Sequence, residues 1–111
     1  MPFEFGEVVL VRFPFTDQVS SKQRPGVIVS NRTYNMARRD AVMMAITSQL
    51  NSLSSFGDLW IGQWQAANLL KPSAVKPLFA TLEQSLVIKR LGVLQPADQA
   101  ALRRMIASHI G

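Results

Sequence analysis

Two runs decide the fold: Arg24-Pro25-Gly26-Val27-Ile28-Val29-Ser30-Asn31 and, after an arginine-rich connection, Ala41-Val42-Met43-Met44-Ala45-Ile46-Thr47-Ser48-Gln49. β-Branched and apolar residues bounded by Pro, Asn, Ser and Thr fit a pleated, half-buried surface, so both read as neighbouring strands of a small sheet. Their polar residues sit at the ends. Arg24 enters the first strand and Thr47 and Ser48 leave the second, so a cation and two hydroxyls converge if these ends share a rim. Such a group suits a phosphate.

The flanks extend the same pattern. Glu7 to Phe13 reads as a first strand, with Val9, Val11 and Phe13 on one face and Val8, Leu10 and Arg12 on the other. Pro14 ends it, and the polar stretch Phe15 to Gln23 reads as a long hairpin loop able to cover a ligand. In the third strand Val42, Met44 and Ile46 are expected to face the core, sending Met43, Ala45 and Thr47 to the opposite side. Asn31 to Asp40 reads as a connection, and Gln49 to Phe56 as a second loop. Asp58 to Gly62 is a short strand carrying Trp60, Gln63 to Leu70 one or two helical turns ended by Lys71-Pro72, and Lys76 to Leu82 a further strand. Glu83 to Gly92 holds a turn and a last strand at Leu86-Val87-Ile88. Pro96 opens a terminal helix whose stripe is Leu102, Met105, Ile106 and Ile110, with Asp98, Gln99, Arg103 and Arg104 outside. The expected architecture is mainly β, a small antiparallel barrel closed by a C-terminal α-helix, in one domain spanning residues 1–111.

Composition narrows the function. A chain of 111 residues with 48% hydrophobic and 17% charged residues supports one modest core. There is no cysteine, which removes disulfides and thiolate chemistry and fits a cytoplasmic setting. The start Met1-Pro2-Phe3-Glu4-Phe5 has neither a basic region nor a long apolar run, so no signal peptide or membrane span is expected. One histidine and scattered carboxylates give no ligand cluster, so neither metal nor other cofactor is expected. A net charge of +5 favours an anionic partner, because neutralising phosphates releases counterions.

RNA is the anion that these residues suit. Arg32, Arg38 and Arg39 beside Tyr34 can clamp phosphates and stack on unpaired bases, or else form a solvated loop over a buried tyrosine. Lys71 and Lys76, around Pro72-Ser73, can line a groove that tracks a nucleic-acid backbone, or be ordinary surface lysines. Asp17 and Lys22 in the first loop, and Ser48 and Gln49 beside Thr47, complete the RNA-contacting candidates. Trp60 and Trp64 can stack on a base or accept a partner's apolar anchor, although burial is the expectation for Trp60.

RNA can be cut without metal when its own 2′-oxygen attacks the adjacent phosphorus, which requires a proton acceptor, a proton donor and stabilisation of charge on phosphorus. A histidine pair is impossible, since His109 is the only histidine and lies in the terminal helix. Arg24 offers a fork of donors to phosphate oxygens, and Thr47 a hydroxyl to the same phosphate. The structural alternative pairs Arg24 with Asp17 or Asp40 and leaves Thr47 simply ending a strand.

The order Gly6-Glu7 with its strand, Arg24-Pro25, Ile46-Thr47-Ser48-Gln49, Lys71-Pro72-Ser73 and Leu91-Gly92 before a final helix resembles the MazF/PemK family of toxin endoribonucleases. The resemblance runs from Gly6 to Ile106. It implies an SH3-like barrel and a type II toxin that cleaves single-stranded RNA, messenger RNA by class, at a short sequence and without metal. It also implies a 2′,3′-cyclic phosphate product, a cognate antitoxin and a homodimer. By the same resemblance Arg24 and Thr47 are catalytic. Some relatives carry a glutamate in the first loop, where this chain has Gln18-Val19-Ser20-Ser21, so Asp17 is the nearest carboxylate. A non-catalytic protein of similar fold, such as a CcdB-like gyrase inhibitor, or a degenerate member that binds RNA or antitoxin without cutting, is the alternative.

Overall fold

The computed structural model describes residues 2–12, 23–50 and 58–110. Its strands are β1 (Glu7–Arg12), β2 (Gln23–Ile28), β3 (Asp40–Thr47), β4 (Leu59–Trp60), β5 (Ala74–Glu83) and β6 (Val87–Val93); its helices are α1 (Arg32–Ala37) and α2 (Pro96–Ile110). The strands form one antiparallel sheet in the order β4-β5-β3-β2-β1-β6. The mainly-β architecture with a terminal helix is therefore as the sequence indicates. Among the described residues the two end strands, β4 and β6, do not pair, so the sheet is open rather than a fully closed barrel.

Both faces of this sheet are buried, which explains why β1 and β3 are nearly all apolar instead of alternating. On one face Val8, Val27, Met44, Ile46 and Val75 pack with Ile61, Leu69, Leu94, Leu102 and Met105. On the other, Val9, Val11, Ile28, Ala41, Met43, Ala80 and Leu82 form a second cluster joined by Phe3, Leu86 and Val87. Successive residues such as Val8 and Val9 thus serve different cores. Met44 and Ile46 face the core as expected, but Val42 is only half-buried, and Met43 on the opposite face is as fully buried as Met44.

A segment without regular structure, residues 61–70, joins the two edges of the sheet. Expected to be strand to Gly62 and helical from Gln63 to Leu70, it is a series of turns. It starts beside β4, where Ile61 N donates to Ser73 O at 3.0 Å, and ends against β6, where Asn68 Nδ2 donates to Leu91 O at 2.7 Å. Asn68 has φ of 64°, the left-handed conformation that asparagine tolerates better than most residues. Gly92 permits this approach: a Cβ there would lie 2.6 Å from Ala67 O.

The carboxylate of Asp98 holds the start of that segment. It accepts from Gly62 N and Gln63 N, both at 2.9 Å. Asp98 was expected on the outer side of α2, but it is buried together with Leu102 and Met105. Gln99 also turns inward, its amide lying under Gly6 and its Nε2 donating to Leu94 O at 2.8 Å. Ile110, expected in the apolar stripe, is 58% exposed because the helix has by then run past the core.

The connection between β2 and β3 is a short helix rather than a loop. Asn31 caps it by accepting from Tyr34 N at 2.9 Å. Buried Asn35 accepts from Ser30 Oγ and donates to Phe3 O at 2.8 Å and Ser30 O at 3.0 Å. These local bonds satisfy the chain's polar groups in a way that hydrophobic periodicity does not announce.

Candidate functional site

The β2–β3 ladder runs from Ile28–Met43 to Gly26–Ala45 and stops there. Pro25 follows, and without an N–H it has no donor to extend a ladder. Beyond that pair the two strand ends converge, and Arg24 and Thr47 both line one cavity. The two strand ends therefore deliver the guanidinium and the hydroxyl to one place, the rim anticipated from the sequence.

At that rim lies a cavity of about 490 Å³. Leu10, Pro25, Ile46, Leu69 and Leu91 give it an apolar floor, whereas Arg24, Lys71, Lys89, Thr47, Ser48 and Gln49 give it polar walls. Among the described residues no carboxylate lines it. Arg24 is exposed and makes no salt bridge with a described residue, so its fork of donors faces solvent. Thr47 Oγ1 accepts from Gln49 N at 3.1 Å. That bond fixes the oxygen while leaving its O–H free to donate, the arrangement a phosphate oxygen needs. Buried Ser73 fixes the opposite wall, its Oγ donating to Lys71 O at 2.8 Å.

The remaining candidates are dispersed. Arg38 is committed to Asp40, with Nε 2.9 Å from Oδ1 and Nη2 3.2 Å from Oδ2, and lies 5.4 Å over the ring of Tyr34. The Tyr34 hydroxyl donates to the same carboxylate at 2.9 Å. Asp40 is consequently held below the usual carboxylate range by the Arg38 hydrogen bond foremost, while Tyr34 and Arg38 are raised by their bonds to Asp40. Asp40 is thus not the partner of Arg24. Arg39 is exposed outside the cavity, and Arg32 lines a different one, of about 530 Å³, with Glu4, Glu7, Arg90 and Arg103. Lys76 pairs with Asp58 at 3.3 Å. Asp17 and Lys22 lie outside the described residues, as does most of the first loop.

Trp60 corrects another expectation, being 51% exposed on β4, a two-residue strand at the end of the sheet. Trp64 is half-buried against the first core. Sequence reasoning also missed Lys89, Asn68 and Gln23 as cavity residues. Lys89 was hidden by the boundary of β6, which was expected to end at Ile88 and instead continues to Val93.

Among the described residues no three His, Cys, Asp or Glu side chains converge as a metal site, and no helix is long and apolar enough to cross a membrane. A family model for PemK-like, MazF-like toxins of type II toxin–antitoxin systems matches residues 4–110. No curated protein is significantly similar in sequence. The fold is shared with a mycobacterial endoribonuclease solved with its cognate antitoxin, at 19% identity and a TM-score of 0.75, covering 99% of this chain and 94% of that one. It is shared equally with MazF from Deinococcus radiodurans, at 17% identity and a TM-score of 0.77 over 100% of this chain and 98% of that one. The toxin MazF-mt6 of Mycobacterium tuberculosis aligns at 16% identity with a TM-score of 0.72, over 92% of this chain and 93% of that one.

Proposed function

Because the chain belongs to the family of PemK-like, MazF-like toxins of type II toxin–antitoxin systems, we propose that it is an endoribonuclease that cuts single-stranded RNA at the Arg24–Thr47 rim. The observation that carries this reading is a cavity with cationic walls, no carboxylate among its described lining residues, and a guanidinium and an orientated hydroxyl in the same lining. Unpaired RNA suits it, because a base must leave its stack to reach the apolar floor and the 2′-oxygen must line up with the leaving oxygen.

In the proposed reaction the 2′-oxygen bonds to phosphorus and the bond from phosphorus to the 5′-oxygen breaks, the departing 5′-oxygen taking a proton from water, which gives a 2′,3′-cyclic phosphate and a free 5′-hydroxyl. Arg24 holds the phosphoryl oxygens through charge-assisted hydrogen bonds that strengthen as negative charge develops. Thr47 donates its O–H to the same phosphoryl group. The proton of the 2′-hydroxyl passes to a base outside the described cavity walls, and Asp17 is the nearest carboxylate in sequence. No metal takes part.

The same reading gives the protein a cognate antitoxin that covers the cavity, a homodimeric state and a cytoplasmic location. The relative solved with its antitoxin supports the existence of such a partner. Incubating the purified protein with mixed RNA in EDTA and mapping the new ends tests the reaction: cyclic phosphate termini at a recurring short sequence are expected. Intact RNA would leave a binding protein of the same fold.

A further inference from the structure

Lys89 occupies a special place on β6. It pairs with Leu10 of β1, and Leu10 pairs with Pro25 of β2, so the three form a row across the sheet beneath the cavity. The β1–β6 pairing is irregular on both sides of the Val9–Arg90 and Leu10–Lys89 pairs, with register shifts between Val8 and Val9 and between Leu10 and Val11. Bulges of this kind re-aim side chains and concentrate beside active sites. The next residue, Arg90, is engaged: its Nε lies 2.9 Å from Glu7 Oε2, and its guanidinium lies 4.5 Å over the ring of Phe3. Lys89 is exposed, makes no salt bridge with a described residue, and opens on the cavity that Arg24 lines.

Accepting the endoribonuclease reading, we propose that Lys89 grips a second RNA phosphate, one nucleotide from the phosphate held by Arg24 and Thr47. The intervening nucleoside sits on the floor of Leu10, Pro25, Ile46 and Leu91. The β2 and β6 backbones, on either side of β1, stand about 10 Å apart by strand spacing, a gap that two long cationic side chains narrow to the reach of one nucleotide. The cavity volume of about 490 Å³ accommodates a nucleoside with room to turn. A lysine fits this duty because a neighbouring phosphate needs a point charge on a flexible stem rather than a bidentate fork.

The test is the salt dependence of binding, measured by fluorescence anisotropy with an RNA oligonucleotide that spans a mapped cleavage site and carries 2′-deoxyribose at the nucleophilic position. Lys89→Met should make the slope of log affinity against log salt shallower by about 0.7, the counterion equivalent of one single-strand phosphate contact. Lys89→Arg should keep the wild-type slope, and so should Arg104→Gln on the exposed side of α2. A folded Lys89→Met protein with the wild-type slope would overturn the assignment while leaving RNA cleavage by the wild type as independent support for the enzyme. A wild type that neither binds nor cuts RNA would overturn both.

Discussion

Replacing Asp98 by alanine should loosen the cavity from a distance. Its carboxylate is buried and accepts two backbone N–H groups, from Gly62 and Gln63, at the start of the segment that continues to Asn68, Leu69 and Leu70 on the cavity wall. Hydrogen bonds to a charged group contribute about 1.5–3 kcal/mol each. Gly62 and Gln63 are themselves exposed, so the freed donors recover part of this from water. The expected loss is about 2–3 kcal/mol, which for a domain of this size lowers the melting temperature by roughly 8–12 °C. Asp98→Asn keeps one acceptor oxygen and should lose about half as much. Urea denaturation followed by circular dichroism measures both, with a lower midpoint at unchanged m. At a temperature where the variant stays folded, RNA binding should weaken because one wall has lost its anchor. A stability change of less than about 0.5 kcal/mol for Asp98→Ala would refute the reasoning and make the two bonds incidental.

Thr47→Val keeps the shape and removes the hydroxyl; cleavage should slow with little change in affinity for uncleavable RNA, and equal losses in both would make Thr47 a binding residue only. Gly92→Ala forces a Cβ against the backbone oxygen of Ala67 and should destabilise the fold by about 1–3 kcal/mol in the same urea assay. The depressed Asp40 carboxyl contributes stability above the ordinary carboxylate range, and this is lost as pH falls through its lower folded value. The stability difference between wild type and Asp40→Asn should therefore shrink on acidification from pH 7 to about pH 3, and a constant difference would contradict the pairing with Arg38 and Tyr34.

The inner strands and the terminal helix were legible because their apolar runs are bounded by Pro, Asn, Ser and Thr or follow the helical stripe, and the shared rim of Arg24 and Thr47 followed once β2 and β3 were taken as neighbours. Less was legible where polar contacts override pattern. Asp98 lies four residues before Leu102 and seven before Met105, on the inward stripe of the helix, but its charge argued for solvent, and the backbone donors that satisfy it are far away in sequence. Helix α1 rests on the Asn31 cap and the Asn35 hydrogen bonds, whereas its basic sequence suggests a loop. Arg38 was drawn from the RNA candidates by a carboxylate two residues along the chain. Lys89 escaped notice because β6 carries charged residues where an apolar strand would continue, and its role depends on pairing with Leu10.

The most direct test of the central claim is single-turnover cleavage of one mapped RNA site in EDTA by wild type and by Arg24→Ala. Arg24 is exposed and contributes little to either core, so the variant should remain folded by circular dichroism. Losing this donor to the developing charge should cost about 2.7–4 kcal/mol, a fall in rate of about 10²–10³. A folded Arg24→Ala protein that cleaves at the wild-type rate would contradict the account.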